Sequence, residues 1–114
     1  MGDNVIYHNP RCSTSRKTLE LLRDNGIEPT VVEYLKTPPS RAELARMIRD
    51  AGINVRDAVR KNEDVYRELG LDSAGDDELL DAMIANPILI QRPFVITGKG
   101  TRLGRPIETV REIL

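Results

Sequence analysis

A single cysteine, Cys12, stands in the run Tyr7-His8-Asn9-Pro10-Arg11-Cys12-Ser13-Thr14-Ser15-Arg16, between a short apolar stretch and the first helical pattern of the chain. Sulfur reacts as thiolate, and a free thiol is mostly protonated at neutral pH. Unpaired amides at a helix N-terminus, a nearby cation and the exclusion of competing negative charge each lower its pKa. The sequence predicts all three at Cys12. A helix opening near Ser13 and Thr14 points its first amides at the sulfur. Arg11 and Arg16 supply positive charge, with His8 a further source, and no acidic residue falls between Asn4 and Leu19. Ser13, Thr14 and Ser15 are small donors that leave the position open. A lone cytosolic cysteine is commonly an inert, half-buried hydrophobe, but a polar loop ahead of a helix favours a reactive one. His8, at the end of a strand, suits either an ordinary hydrogen-bonded role or tuning of the thiol.

A thiolate beside a helix N-terminus is also a place for an anion, which draws attention to three arginines. Arg60 ends a short predicted helix, where a cation is expected from the dipole alone. Arg92 precedes Pro93 and Arg105 precedes Pro106, and each proline restricts the residue before it to extended conformations. Arginine presents a planar fork of donors that suits a tetrahedral oxyanion. Taken singly, these are ordinary surface arginines; convergence on Cys12 would make them a site.

The elements that must position these groups are legible in the pattern. Val5-Ile6-Tyr7 reads as a first strand, and Ser13 to Asn25 as a helix with Thr18, Leu19, Leu21 and Leu22 on its apolar face and Gly26 as its stop. Thr30 to Tyr34 is β-branched and reads as a second strand, broken at Thr37-Pro38-Pro39. Ser40-Arg41-Ala42-Glu43 is a capping box, followed by Leu44, Met47, Ile48 and Ala51 at helical spacing. Short helices are predicted over Asn54 to Arg60 and Glu63 to Leu69, and a further one over Asp77 to Ala85 capped by Asp76. Phe94 to Thr97 and Thr101 to Leu103 flank a glycine-containing turn and read as a hairpin. Pro106 suits the first turn of a last helix with Ile107, Val110, Ile113 and Leu114 as its apolar stripe. The order β-α-β, helical block, β-β-α predicts an α/β fold with a mixed sheet, because the first unit demands parallel strands and the hairpin an antiparallel pair.

Composition bounds the function. At 114 residues the chain is expected to be one domain with a core of its own. A formal net charge of −1 gives no bulk attraction for nucleic acid or a membrane surface. No apolar run approaches membrane-spanning length, and Met1-Gly2-Asp3-Asn4 lacks the basic-then-apolar pattern of a leader. Met1-Gly2 fits the start of a myristoylation signal, but Ile6 stands where that signal needs Ser or Thr. A cytoplasmic location is expected. One cysteine and one histidine cannot make a protein-only zinc site, so no metal is expected. One cysteine cannot close an internal redox cycle either, so any thiol that resolves Cys12 comes from outside.

The run His8-Asn9-Pro10-Arg11-Cys12-Ser13-Thr14-Ser15-Arg16 resembles the signature loop of the ArsC family, the arsenate reductases coupled to glutathione and glutaredoxin. The resemblance continues through Tyr34-Leu35 with Pro38-Pro39-Ser40, through Val59-Arg60-Lys61-Asn62, through Asn86 to Ile90 with Arg92-Pro93, and through Thr101-Arg102-Leu103 with Arg105-Pro106. It covers essentially the whole chain. It implies a thioredoxin-like (glutaredoxin-like) fold over residues 1–114, with a helical insertion at about 40–90. It also implies a cis peptide before Pro93 that sets Arg92 close to Cys12. Carried onto matching positions, Cys12 becomes the nucleophile, Arg60, Arg92 and Arg105 the oxyanion-binding arginines, and His8 and Ser15 residues that favour the thiolate. The implied activity is reduction of arsenate to arsenite, with glutathione as co-substrate, glutaredoxin as partner and no tightly bound cofactor. Two other readings share the fold: a glutathione-dependent thiol-disulfide reductase, which needs Cys12 but little from Arg60 and Arg105, and a non-enzymatic regulatory adaptor of the Spx type. Many of those regulators carry a CxxC switch, against which Ser15 argues. Gly104 stands where some relatives have a second cysteine.

Overall fold

The structure is a computed structural model that describes residues 4–114; the Met1-Gly2 start considered above lies outside them. The described residues fall into two compact units.

The first unit comprises the chain up to Thr37 together with Arg92–Leu114. Its strands are β1 (Val5–His8), β2 (Thr30–Glu33), β3 (Phe94–Thr97) and β4 (Gly100–Leu103), and its helix is α1 (Ser13–Asp24). They form one sheet in the order β2-β1-β3-β4. β1 runs parallel to β2 and antiparallel to β3, and β3 pairs antiparallel with β4, so the sheet is mixed as the element order predicts. In β1, Ile6 and His8 point inward while Val5 and Tyr7 are half-buried, the alternation a strand requires. Ile6 joins Leu22 of α1, Val95 of β3, and Val110 and Ile113 in one buried cluster, with Leu19, Leu21, Ile27 and Leu114 packed on it.

The last segment differs from the predicted helix. Ile107–Ile113 is a 3₁₀ helix, and Pro106 sits just before it in an extended conformation rather than in its first turn. The spacing of the apolar residues explains this. Ile107, Val110 and Ile113 recur every third residue, the repeat that a three-residue turn places on one face. The buried hydroxyl of Thr97 donates to the Ile113 carbonyl at 2.6 Å and ties this end to β3.

The second unit is Pro38–Gln91. It holds α2 (Arg41–Asp50), α3 (Asp64–Glu68) and α4 (Asp76–Ala85), with 3₁₀ turns at Val55–Ala58, Leu71–Ser73 and Pro87–Leu89. The capping box at α2 forms as expected: the Glu43 amide donates to Ser40 Oγ at 3.1 Å, and the Ser40 amide donates to the Glu43 carboxylate at 2.8 Å. Leu44, Met47 and Ile48 of α2 and Leu79, Leu80 and Met83 of α4 are buried. Arg41 bridges the two helices through Asp81 at 2.8 Å and Asp77 at 3.1 Å. Helix α4 starts one residue earlier than predicted, with Gly75 rather than Asp76 at the cap position. The predicted helix over Asn54 to Arg60 is only one turn and stops at Ala58. Val59 then runs extended to bridge Ile90, and the Arg60 amide donates to the Leu89 carbonyl at 2.7 Å. Strand-like pairing thus replaces the helical bonds, and Arg60 is not a helix-terminal cation.

Candidate active site around Cys12

Cys12 occupies the cap position of α1, with φ −94° and ψ 122° and no side-chain capping bond. The turn that delivers it is closed by the Cys12 amide donating to the Asn9 carbonyl at 3.0 Å. Asn9 is buried, and its Oδ1 accepts from the Arg11 amide at 2.9 Å. This is the side-chain turn by which Asn mimics backbone. The sequence reading passed over Asn9, although an Asn ahead of a proline is a recognisable signal for such a turn.

The sulfur is half-buried. Burial pushes its pKa up, but the Ser15 amide, a hydrogen bond and the positive charge from Arg92, and the Thr14 amide outweigh burial and bring it below the ordinary thiol value. The first turn of α1 carries no acidic residue to oppose them. The amide cradle is therefore as predicted, but the cation is not. Arg16 turns away and donates to the Pro10 carbonyl at 2.8 Å, and Arg92 takes the place expected for Arg11 and Arg16. Arg92 is buried, so its charge acts where solvent screens it little.

His8 also departs from the expected source of charge. Burial, the largest influence, lowers its pKa; Glu33 opposes this and Arg16 and Arg23 add to it. A neutral imidazole follows at neutral pH. Its Nδ1 lies 2.7 Å from Ser15 Oγ, and the Asn9 amide donates to that same oxygen at 3.0 Å. Ser15 is fully buried. His8 and Ser15 thus brace the turn on either side of the sulfur, and the link from His8 to the thiol runs through the Ser15 backbone rather than through charge.

The Arg92–Pro93 peptide is cis, as is Arg105–Pro106. Arg105 donates from Nη1 to the Arg92 carbonyl at 3.2 Å and lines a cavity of about 300 Å³ with Thr14 and Lys17 of α1. The structure therefore brings Cys12, Arg92 and Arg105 together at the opening turn of one helix. Gly104 fits this region closely: its amide donates to the Pro93 carbonyl at 2.8 Å, and a Cβ there would stand 3.2 Å from both the Pro93 ring and Thr18 Oγ1. Arg60 belongs to the second unit, where its Nε donates to Glu63 at 3.2 Å and its side chain keeps 17% of its exposure. Among the described residues no group of three or more His, Cys, Asp or Glu side chains is arranged to hold a metal ion, and no helix is long and apolar enough to cross a membrane.

Chemically, this arrangement favours the thiolate over the thiol and gathers positive charge at one helix end. Comparison with known proteins gives the family. The ArsC family model matches residues 7–113. The chain is 61% identical to an arsenate reductase of Rhizobium meliloti over 96% of its length and 80% of the relative's. It is 57% identical to an arsenate reductase of Escherichia coli over its full length and 82% of the relative's. Among solved structures, an arsenate reductase from Vibrio cholerae superposes with a TM-score of 0.93 at 48% identity, covering 99% of this chain and 98% of that one. The fold is thioredoxin-like, as those relatives' folds are.

Proposed function

The chain belongs to the ArsC family, and on that premise we propose that it reduces arsenate to arsenite with Cys12 as nucleophile and glutathione and glutaredoxin as its external thiols. The reading is carried by one observation: the Cys12 sulfur is held by the Thr14 and Ser15 amides and the Arg92 guanidinium at a single helix end. The Cys12 thiolate attacks arsenic, an As–S bond forms, and one arsenate oxygen leaves as water. Glutathione then enters: its thiol displaces a second arsenic-bound oxygen as water, giving a sulfur–arsenic–sulfur intermediate. The glutaredoxin thiolate attacks the glutathione sulfur, the As–S electron pair stays on arsenic, and glutaredoxin carries away the glutathionyl group as a mixed disulfide. Water displaces Cys12 from the arsenic, releasing arsenite and restoring the thiolate. The two electrons gained by arsenic come from the two sulfurs joined in the mixed disulfide.

Two anions repel, so the first step depends on neutralising the oxyanion. Arg92 and Arg105 supply this from the sulfur's own helix end, and the family resemblance gives Arg60 the same oxyanion-binding role. Such a reaction belongs in the cytoplasm, where low-molecular-weight thiols are kept reduced.

Arsenite release with glutathione and glutaredoxin tests the reading. Wild type is expected to turn over. Arg60→Ala is expected to raise the arsenate KM about tenfold to a hundredfold, the range for losing a charge-assisted bond of about 1.5–3 kcal/mol. No arsenite from wild type, together with reduction of a glutathione mixed disulfide that survives Arg60→Ala, would assign the protein to general thiol-disulfide exchange instead.

A further inference from the structure

A second cavity, of about 440 Å³, opens at the carboxyl ends of the parallel strands β1 and β2 and is lined by His8, Arg11, Glu33, Leu35 and Lys36 among others. Carboxyl strand ends are where α/β sheets commonly take their ligands, and the volume lies in the range of small-molecule sites. The turn from His8 to Arg11 forms one wall, and Cys12 is the next residue after it. The cavity shares no lining residue with the one beside Arg105, and its wall leads directly into Cys12.

Its charges are mixed in a definite way. Arg11 and Lys36 are cationic and Glu33 is anionic, with Lys36 Nζ 3.5 Å from Glu33 Oε1. Leu35, 43% exposed, adds apolar surface. A small dianion such as arsenate would meet the Glu33 carboxylate here, so this is a poor oxyanion site. We propose that this cavity seats the reducing thiol, and that it selects a peptide thiol bearing two carboxylates and one ammonium. Arg11 and Lys36 answer the two carboxylates, Glu33 answers the ammonium, and Leu35 lies under the backbone between them. A tripeptide extends about 10 Å, enough to hold its ends in the cavity and present its central sulfur to Cys12. The inference rests on the external-thiol reading above and identifies the surface of this chain that reading requires.

Glutathione has this charge pattern and is the probe. With Cys12→Ser protein and S-methylglutathione no exchange reaction is possible, so nuclear magnetic resonance maps binding alone. Amide shifts are expected at Arg11, Leu35 and Lys36, saturating in the millimolar range. Lys36→Glu is expected to weaken that binding, and to raise the glutathione KM of the Cys12-containing enzyme, about tenfold while the arsenate KM stays unchanged. Shifts confined to Thr14, Lys17 and the Arg105–Glu108 stretch, or a Lys36→Glu protein that binds as wild type does, would overturn the proposal. Failure of the arsenate reading shows separately: the mapped binding persists while no arsenite appears.

Discussion

Cys12→Ser is expected to abolish arsenite release to the buffer level and, at the same time, to make the protein more stable. The first effect follows from chemistry. A serine hydroxyl is not ionised at the helix end and cannot form the sulfur–arsenic bond, so neither the attack on arsenic nor the reduction that follows it has a route. The second follows from the backbone. Cys12 sits at the cap position of α1 in the extended conformation that capping residues adopt, yet makes no side-chain capping bond. Serine is among the best residues for that position, and its oxygen accepts from the Thr14 and Ser15 amides better than a protonated thiol does. The gain should be about 0.5–1 kcal/mol, seen as a higher midpoint in thermal or urea unfolding. Its pH dependence has a fixed sign. The folded-state pKa of Cys12 is depressed, so the wild type draws extra stability from its thiolate above the unfolded pKa and loses it as pH falls through the folded one. The advantage of serine is therefore largest in mild acid, narrows as pH rises from the folded-state pKa to the ordinary thiol pKa, and is constant above it. Equal loss of activity and stability would mean that Cys12 is a packing residue.

The second large effect belongs to Arg92. This buried side chain bonds the Cys12 sulfur, while its carbonyl anchors Arg105. Arg92→Ala removes a hydrogen bond and a full charge from the thiolate and one fork from the oxyanion, but leaves the carbonyl that holds Arg105. We expect kcat/KM for arsenate to fall by about 10²–10³, the usual consequence of removing one such donor, and the pH profile of Cys12 alkylation to move to higher pH. Arg92→Lys retains charge without the planar fork and should keep more of the thiolate than of the arsenate activity. If Arg92→Ala moves neither the alkylation profile nor kcat/KM, the cation that matters lies elsewhere.

Much of this was readable in the sequence wherever local physics decides. The capping box at Ser40, the hairpin around Gly98 and the placement of Cys12 ahead of a helix each depend on residues within a few positions of one another. What could not be read locally is which distant side chain arrives. Arg11 and Arg16 neighbour the cysteine in sequence, but Arg16 is spent on the Pro10 carbonyl, and β3, lying beside β1, brings Arg92 to the sulfur instead. The charge of His8 was equally hidden, because it depends on burial that only the assembled sheet creates. The final 3₁₀ helix was hidden for a different reason: apolar residues three apart fit both helix types over one or two turns, and only the repeat through Ile113 separates them.

All of the chemistry depends on a sulfur that is ionised at its helix end, and titrating Cys12 tests this most directly. The rate of alkylation should be followed against pH, with and without arsenate. The predicted result is a midpoint below that of a free cysteine, with alkylation slowed when the oxyanion is present. A midpoint at or above the free-cysteine value, with no protection by arsenate, would contradict the account.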